Sequence, residues 1–301
     1  MGKALVFKGV RVDAPLQTVT FVKKLITASD YVNEYSKLAT SVSSEQKTNL
    51  VTFVTTLMNN NLWDKVRCCF PMLGGMEGYN KDLKDVFNQR VWNAPVVGTS
   101  WDSTRNAPYL NLPGKAKGTC LVIENLDKTN STFLFSVKLG RLAASVELIN
   151  EEYKYISTSD KHSYSFISGL YNSNGGYAYP YWDTGIKNES ISGYTYDAQA
   201  NNIYMVTLNK GTNSLFVCSN SSTLLTVGTG VTPESEVTNA SFAFGNYYDA
   251  VMEAPANSTL KGCMNMFIAF NSALTEEELQ VVSKAVWDFD EACGRHIDFT
   301  D

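Results

Sequence analysis

The chain has 301 residues, of which 44% are hydrophobic and 18% are charged, and its formal net charge is −5. This length suits one large domain with an accessory segment or two small domains, and the low charged fraction is typical of β-rich globular proteins and excludes a disordered chain. Because the net charge is negative, we do not expect nucleic acid as a partner.

The start of the chain alternates like two short strands joined by a turn at Pro15 and carries a local excess of positive charge. Asp13 is the acidic residue of this stretch, against five basic ones: Lys3, Lys8, Arg11, Lys23 and Lys24. Such a charge suits either an acidic partner surface or a solvated strand face. Because the stretch has too little apolar area to fold alone, we predict that residues 1–42 form an anchoring and assembly segment.

Neither a membrane-spanning segment nor a disulfide framework is expected. No apolar run reaches the roughly 20 residues that a bilayer-spanning helix needs, and the opening MGKALVFKGV is too interrupted for the core of a signal peptide. We therefore expect no membrane insertion. The six cysteines show neither a C-x-x-C pair nor metal-ligand spacing, so we expect reduced, mostly buried thiols.

A helix is predicted to begin directly after residue 42. Ser43 and Gln46 form a capping box, in which the side chain of each residue bonds the backbone N–H of the other. Apolar residues then recur at helical spacing, at Leu50, Phe53, Val54 and Leu57. Three asparagines at 59–61 predict a break. We expect residues 43–91 to form a helical lead-in that packs on the domain that follows.

From about residue 92 the apolar residues alternate with a period of two, which is the pattern of β-strands. Candidate strands separated by Gly, Asn, Asp and Ser turns lie at 108–112, 118–126, 131–139, 143–149, 153–157, 164–170, 201–209, 213–219, 222–228, 241–246 and 263–270. The segment LNKGTNSLFVC reads as a hairpin with a glycine-containing loop. So many short strands without interleaved helices predict an antiparallel β-sandwich or jelly roll.

The chain closes with a second capped helix. Thr275 lies three residues before Glu278, which is again a capping box. Apolar residues follow at helical spacing, at Leu279, Val282, Val286 and Phe289. This pattern predicts a terminal helix at 275–293 that packs on a sheet.

In the C-terminal half, a hairpin at 202–227 is followed by a strand SFAFGN, a strand GCMNMFIAF and then a short phrase at the start of the final helix. The phrase consists of Asn271, Ala273, Leu274, Thr275, Glu277, Glu278 and Leu279. This order resembles the concanavalin A-like, laminin-G-like jelly-roll family. The resemblance implies a mainly β chain, with a concanavalin A-like jelly-roll sandwich at 92–301, a helical N-terminal lead-in and a C-terminal helix.

Two further segments, LVTFVTTLMNNNLWDKVRCCFPMLGG and MGKALVFKGV, are similar to parts of tailed-phage virion proteins, particularly those of crAss-like phages that infect gut Bacteroidales. This resemblance implies a protein made in the bacterial cytoplasm and exposed on the virion, attached to other virion proteins through its N-terminal segment. Unpaired N-terminal strands invite partners by edge addition, so we also expect a homo-oligomer.

The strongest candidate for catalysis is ELINEE at 147–152. Glycosidases with the concanavalin A-like fold carry E-x-D-x-x-E on a bulged strand, and here Glu147 and Glu152 occupy the outer positions while Ile149 replaces the Asp. Without a bulge, positions 147 and 152 lie on opposite faces of a strand, whereas a retaining pair lies about 5 Å apart. We therefore expect a polar turn here and no catalytic residue, with a polysaccharide-cleaving glycoside hydrolase as the alternative.

Other chemistry has few candidate residues. The two histidines, His162 and His296, lie in charged segments that are expected to be exposed, and no G-x-S-x-G, H-E-x-x-H or Walker A motif occurs. We expect no cofactor and no metal. The alternative is a Ca²⁺ site at Asp127 with Asn130 or Asp183, completed by backbone carbonyls.

Aromatic residues are concentrated in GGYAYPYWDTG at 175–185. The candidate ligand or interface residues are Tyr177, Tyr179, Tyr181, Trp182, Asp183, Tyr247 and Tyr248, with Tyr194 and Tyr196 as further candidates. Aromatic faces beside polar groups suit sugar rings, and Tyr and Trp also dominate protein interfaces. Cross-strand packing explains the same alternation. A glycan site, an interface and packing all remain open at this point.

These patterns together predict a non-enzymatic phage virion structural protein. It would be a head or tail appendage, a fibre or a decoration subunit that displays a lectin-like jelly roll for attachment to host-surface glycan. A bacterial glycan-binding module is a further alternative to the hydrolase. The step from fold to role is an analogy, since jelly rolls host many functions.

Overall fold

A computed structural model describes residues 27–39, 41–75, 83–84, 90–93, 99–111, 119–126, 130–139, 153–157, 165–169, 181–183, 188–190, 200–209, 212–230, 238–244, 248–249, 254–255 and 261–298. The helices within these residues are α1 (Ala28–Leu38), α2 (Ser44–Asn59), a single 3₁₀ turn (Trp63–Lys65) and α3 (Glu276–Ala292). The remaining elements are strands, so the chain is mainly β, as predicted.

The strands pair antiparallel throughout the described residues. In chain order they are β1 (Val66–Phe70), β2 (Leu83–Lys84), β3 (Arg90–Asn93), β4 (Thr99–Asp102), β5 (Ala107–Asn111), β6 (Thr119–Leu126), β7 (Asn130–Leu139), β8 (Tyr153–Ser157), β9 (Ser165–Gly169), β10 (Tyr181–Asp183), β11 (Asn188–Ser190), β12 (Asn201–Asn209), β13 (Thr212–Ser219), β14 (Leu225–Gly230), β15 (Thr238–Phe244), β16 (Tyr248–Asp249), β17 (Ala254–Pro255) and β18 (Lys261–Phe270). The predicted strand at 143–149 lies outside the described residues.

Eight of these strands form the large sheet. Its order is β14-β13-β12-β7-β18-β5-β4, and β1 pairs with the far half of β18. Smaller sheets have the orders β15-β6-β3-β2 and β11-β10-β9-β8, and β16 pairs with β17. The predicted hairpin at LNKGTNSLFVC is confirmed, because β12 and β13 pair directly from Asn202↔Ser219 to Asn209↔Thr212.

The three helices cover one face of the large sheet. Both predicted capping boxes are present, at Ser43 and Gln46 and at Thr275 and Glu278. The apolar stripes that the sequence predicts on α2 and α3 are buried, and the two helices meet where the Phe53 and Phe289 rings lie 5.4 Å apart. The sheet side chains in the same core are Leu134, Ile203, Met205, Phe216, Cys218, Met266, Ile268 and Phe270.

The opposite face of the large sheet is buried as well. Strand register aligns Phe135 with Tyr204 and with Phe267, and the Phe135 ring centroid lies 6.3 Å from that of Tyr204 and 6.2 Å from that of Phe267. Phe133 and Val206 on this face are also buried. A sheet that is apolar and buried on the face away from its helices is what a β-sandwich requires, because its two sheets pack face to face.

Helix α1 lies within the stretch that the sequence assigns to assembly, yet its side chains belong to the core. Tyr31 and Tyr35 are fully buried, and their hydroxyls donate to the carbonyls of Cys69 and Leu73. Burial raises the pKa of Tyr35, so its hydroxyl stays protonated as a donor. An assembly segment that is dispensable for folding would therefore have to end before Thr27. The predicted basic residues Lys3, Lys8, Arg11, Lys23 and Lys24 lie outside the described residues.

The chain reverses direction at the end of α3 and places Arg295 in the interior of the protein. Gly294 has a φ of +72°, its N–H donates to the Glu291 carbonyl, and the Arg295 N–H donates to the Asp290 carbonyl. This is the Schellman arrangement, in which glycine adopts the left-handed conformation that other residues avoid. It brings Arg295 beneath the last turn of the helix.

Arg295 is completely buried and joins four parts of the fold. Its guanidinium lies 3.1 Å from the Asp290 carboxylate, which also accepts the Ser136 hydroxyl of β7. Further N–H groups donate to carbonyls of β18, of the segment after β1 and of the β4–β5 turn, namely Asn265, Pro71, Met72 and Asn106. Because all of these acceptors are buried or part-buried, the positive charge is compensated without water.

Arg295→Met is expected to lower the free energy of unfolding by about 3–5 kcal/mol, because Asp290 is left as an uncompensated buried charge. Urea unfolding followed by circular dichroism measures this loss. The matched control is Lys284→Met, which breaks the exposed pair between Lys284 and Asp288 on α3 and should cost less than about 1 kcal/mol. Equal losses in both variants would contradict the role given to Arg295.

Candidate functional site

A groove with a volume of about 610 Å³ lies where the start of α2, the end of α3 and the β4–β5 turn meet. We call it the groove throughout. Its lining residues are Ser41, Ser43, Glu45, Gln46, Asn49, Gly75, Trp101, Asn106, Glu291, Ala292, Cys293 and Gly294. They include one aromatic ring, two carboxylates and three amides, which is a polar set with one large apolar surface.

The first wall of the groove is the N-terminal turn of α2. Ser43 Oγ accepts the Gln46 N–H at 3.1 Å, and Gln46 Oε1 accepts the Ser43 N–H at 3.0 Å. These polar groups are therefore occupied by the capping box and hold the helix start in place. Glu45 lies between them, is exposed and makes no ion pair with another described residue.

The second wall is the last turn of α3. Asn49 of α2 donates from Nδ2 to the Ala292 carbonyl at 3.0 Å, and Asn106 donates to the Cys293 carbonyl at 3.2 Å. These bonds satisfy two of the carbonyls that a helix end leaves without a partner. They also tie all three elements around the groove together. Glu291 is exposed on this wall.

Cys293 lines the groove and is almost completely buried. Desolvation raises its pKa, Asp290 and Glu45 raise it further, and Arg295 and the Asn49 hydrogen bond oppose them. The thiol therefore stays protonated at neutral pH. Because only the thiolate is a strong nucleophile, Cys293 is not suited to covalent catalysis.

Trp101 lies on β4, which is the edge strand of the large sheet. A tight turn follows it, in which Asp102 Oδ1 accepts the N–H groups of Thr104 and Arg105 at 2.9 Å and 3.0 Å. Asn106 closes the turn with a φ of +48°, a conformation that asparagine tolerates better than most residues. Trp101 is half-buried and lines the groove beside this turn.

A second charged cluster secures the end of the chain beside the groove. Lys138 of β7 is only 2% exposed and its Nζ lies 2.6 Å from an Asp298 carboxylate oxygen. This bond lowers the pKa of Asp298. Arg105 donates to the carbonyls of Ile297 and Asp298. The Asp298 carboxylate thus pairs with buried Lys138, whereas Arg105 has its counter-charge in Asp102, and both contacts of the 297–298 segment are structural.

Most of the residues that the sequence singles out lie outside the described part of the chain. This applies to Glu147, Glu152, Tyr177, Tyr179, Tyr194, Tyr196, Tyr247, Asp127 and His162. Tyr181, Trp182 and Asp183 form β10, which pairs with β9 and with β11, and Tyr248 belongs to β16. The backbone at 181–183 is therefore a strand.

Two predictions concerning metal and histidine can be compared with the described side chains. Asn130 Oδ1 accepts the Ala273 N–H at 2.8 Å, so the proposed Ca²⁺ ligand is engaged in holding the loop before α3. Within the described residues no group of three His, Cys, Asp or Glu side chains is arranged to hold a metal ion. His296 is half-buried, where the sequence predicts exposure, because its ring packs 4.0 Å from that of Trp287.

Sequence reasoning did not find the residues of the groove. Trp101 lies between two segments that contain Gly and Pro. The sequence feature that could have identified it is WDSTRN, in which Asp caps a tight turn directly after an aromatic residue. Glu45 and Glu291 look like ordinary charges on helix surfaces. Among the helices that the structure describes, none is both long and apolar enough to cross a bilayer.

Comparison with known proteins supports the fold. No protein-family profile and no curated protein sequence matches the chain. Trypanosoma rangeli sialidase in complex with sialic acid aligns with a TM-score of 0.50 and 10% identity over 73% of this chain and 33% of that chain. A mutant of that sialidase with trans-sialidase activity also reaches 0.50, at 10% identity over 79% of this chain and 39% of that chain.

Domain 4 of AbnA, an extracellular arabinanase from Geobacillus stearothermophilus in complex with arabinotriose, aligns at 14% identity over 73% of this chain and 98% of that domain, with a TM-score of 0.47. The chain spans about a third of the length of the sialidases that it matches. At these identities the likeness concerns the fold alone. The fold is a β-sandwich of the jelly-roll type, as predicted.

Stability is expected to fall as the pH drops below the ordinary histidine pKa of 6.5, in part because of His296. Desolvation lowers the pKa of His296, with Lys138 and Arg295 adding to this effect and Asp290 and Glu291 opposing it. The unfolded chain then binds a proton more readily than the folded chain, so this contribution is present above pH 6.5 and lost as the pH falls.

Urea unfolding of the wild-type protein and of His296→Gln across a pH series measures this difference. The variant should show a weaker fall of stability between neutral and mildly acidic pH, while His162 is unchanged in both proteins. Parallel pH profiles would show that His296 does not contribute.

Proposed function

We propose that this protein is a non-enzymatic glycan-binding module and that the groove is its binding site. The observation that carries the proposal is the half-buried Trp101 indole in one groove with the carboxylates of Glu45 and Glu291. An indole face packs against the C–H face of a sugar ring, and carboxylate and amide oxygens accept hydrogen bonds from its hydroxyls. This combination is typical of carbohydrate recognition.

The size and rigidity of the groove support the proposal. Its volume of about 610 Å³ falls within the range of about 300–1,000 Å³ that is usual for small-ligand sites. The walls are held by the bonds from Asn49 to Ala292 and from Asn106 to Cys293. A site that is held in shape before the ligand arrives loses less conformational entropy on binding.

A binding role is favoured over catalysis by the chemistry of the candidate residues. The Cys293 thiol is kept protonated, and the sequence at 147–152 has Ile149 where the related glycosidases have an Asp. The hydrolase alternative depends on Glu147 and Glu152, and no observation on the described residues favours it.

We further propose that the module is part of a phage virion, as a head or tail appendage, a fibre or a decoration subunit. This proposal is supported by the sequence phrase at 271–279 and by the resemblance of the lead-in to phage virion proteins. The residues before Thr27 would attach it to other virion proteins as a homo-oligomer, and the groove would contact host-surface glycan. Deletion of residues 1–26 should then prevent incorporation into particles without unfolding the protein.

Trp101→Ala is expected to weaken glycan binding by about 30-fold, because about 2 kcal/mol of indole burial is lost. A glycan microarray first identifies ligands, and isothermal titration calorimetry then compares the wild-type protein with the variant. Leu225→Ala is the control, since Leu225 is exposed on β14 and away from the groove. Trp101→Phe should retain part of the affinity.

The same titrations distinguish the groove from the aromatic segment at 175–185, for which the sequence leaves a glycan site, an interface and packing open. Trp182→Ala should leave binding unchanged if the groove is the site. Unchanged binding in Trp101→Ala together with its loss in Trp182→Ala would contradict the proposal and move the site to β10.

A further inference from the structure

We propose that the groove selects glycans that carry a positively charged amino group and that Glu45 and Glu291 determine this choice. The inference rests on the proposed function, because it names the class of ligand for the same site. It follows from the distribution of charge along the groove, whose described lining carries a carboxylate on each wall and no basic side chain.

The two carboxylates come from different elements on the two sides of the groove. Glu45 lies in the first turn of α2 and Glu291 in the last turn of α3, and both are exposed. Of the described residues that line the groove, none is a lysine or an arginine. A ligand between these walls therefore meets two negative charges.

The buried arginine beneath the groove does not cancel these charges. Arg295 is fully buried, and its guanidinium is engaged by the Asp290 carboxylate and by four backbone carbonyls. Asp290 is its ion-pair partner at 3.1 Å. Glu45 and Glu291 are not among the groups that bond Arg295, and neither makes an ion pair with another described residue.

The end of α3 adds to the negative potential. Helix α3 ends in the groove, and the C-terminus of a helix carries a partial negative charge. The start of α2 carries the opposite partial charge, and Glu45 lies in that first turn. Glu45 is also close enough to Cys293 to act on it: desolvation raises the pKa of this thiol, Asp290 and Glu45 raise it further, and Arg295 and the Asn49 hydrogen bond oppose them.

Trp101 completes a site for a cation. An ammonium group near the face of an indole is attracted by the ring quadrupole, and tryptophan is the strongest of the aromatic residues in this respect. A sugar with a free amine can therefore place its ring on the indole and its ammonium between the carboxylates. An N-acetylated sugar lacks the charge, and an acidic sugar is repelled by both walls.

Calorimetric titration of the full chain with three matched oligosaccharides tests this inference. The probes are a glucosamine oligomer, an N-acetylglucosamine oligomer of the same length and a galacturonic acid oligomer, at mildly acidic pH and low salt. We expect the glucosamine oligomer to bind most tightly and the acidic one least. The preference should weaken at high salt, since exposed charges are screened.

Substitution of the carboxylates identifies the residues that select the ligand. Glu45→Gln and Glu291→Gln should each weaken binding of the glucosamine oligomer about three- to fivefold more than binding of the acetylated oligomer, because only the amine loses a charge partner. The control is Asp64→Asn, because Asp64 is exposed beside Lys65, which bonds Glu278 at the opposite end of α3. Glu278 and Glu291 are about 20 Å apart along the helix axis.

Each outcome separates the inference from the function on which it rests. Equal or tighter binding of the acetylated or acidic oligomer, or unchanged amine binding in both Glu variants, would overturn the selectivity and leave glycan binding intact. An oligolysine peptide that binds as tightly as the glucosamine oligomer would overturn the glycan class. No binding of any oligosaccharide here or on the microarray would overturn both the selectivity and the proposed function.

Discussion

The buried ion pair between Arg295 and Asp290 connects parts of the fold that are far apart in the chain. A guanidinium removed from water requires a counter-charge and acceptors for its N–H groups, because an uncompensated buried charge is strongly destabilising. Here the acceptors come from β18, the segment after β1 and the β4–β5 turn. The position of the last turn of α3 is thereby determined relative to all three segments. Since that turn forms one wall of the groove, the shape of the candidate site depends on this pair.

The helical layer and the large sheet depend on each other in a similar way. Residues 201–208 of β12 are buried without interruption, because α3 and its neighbours cover one face of the sheet and the interior of the sandwich covers the other. A strand with both faces buried cannot show a clean alternation of apolar and polar residues. The helices are therefore part of the hydrophobic core and not an addition to it, and α1 extends this layer to Ala28.

The likeness to sialidases illustrates how little the fold alone says about a ligand. The same sandwich hosts many functions, and the ligand is determined by the side chains at its site. In this protein the described groove combines Trp101 with two carboxylates on separate helices, and the proposed preference for amino sugars rests on that charge distribution. The proposed choice of amino sugars over acidic sugars is therefore supported by the charge of the groove and not by the fold.

Sequence by itself determined the local features of this protein. The capping boxes at Ser43 and Thr275, the apolar stripes of α2 and α3 and the β12–β13 hairpin were all predicted, because each depends on residues a few positions apart. Only the tertiary structure brought Asn49 next to Ala292 and Asn106 next to Cys293, and only it gave Arg295 its partners. The aromatic site at 177–183 stays a prediction. Periodicity and capping indicate which face of an element is buried, but they carry no information about which distant segments come into contact. The groove is formed by contacts between such distant segments.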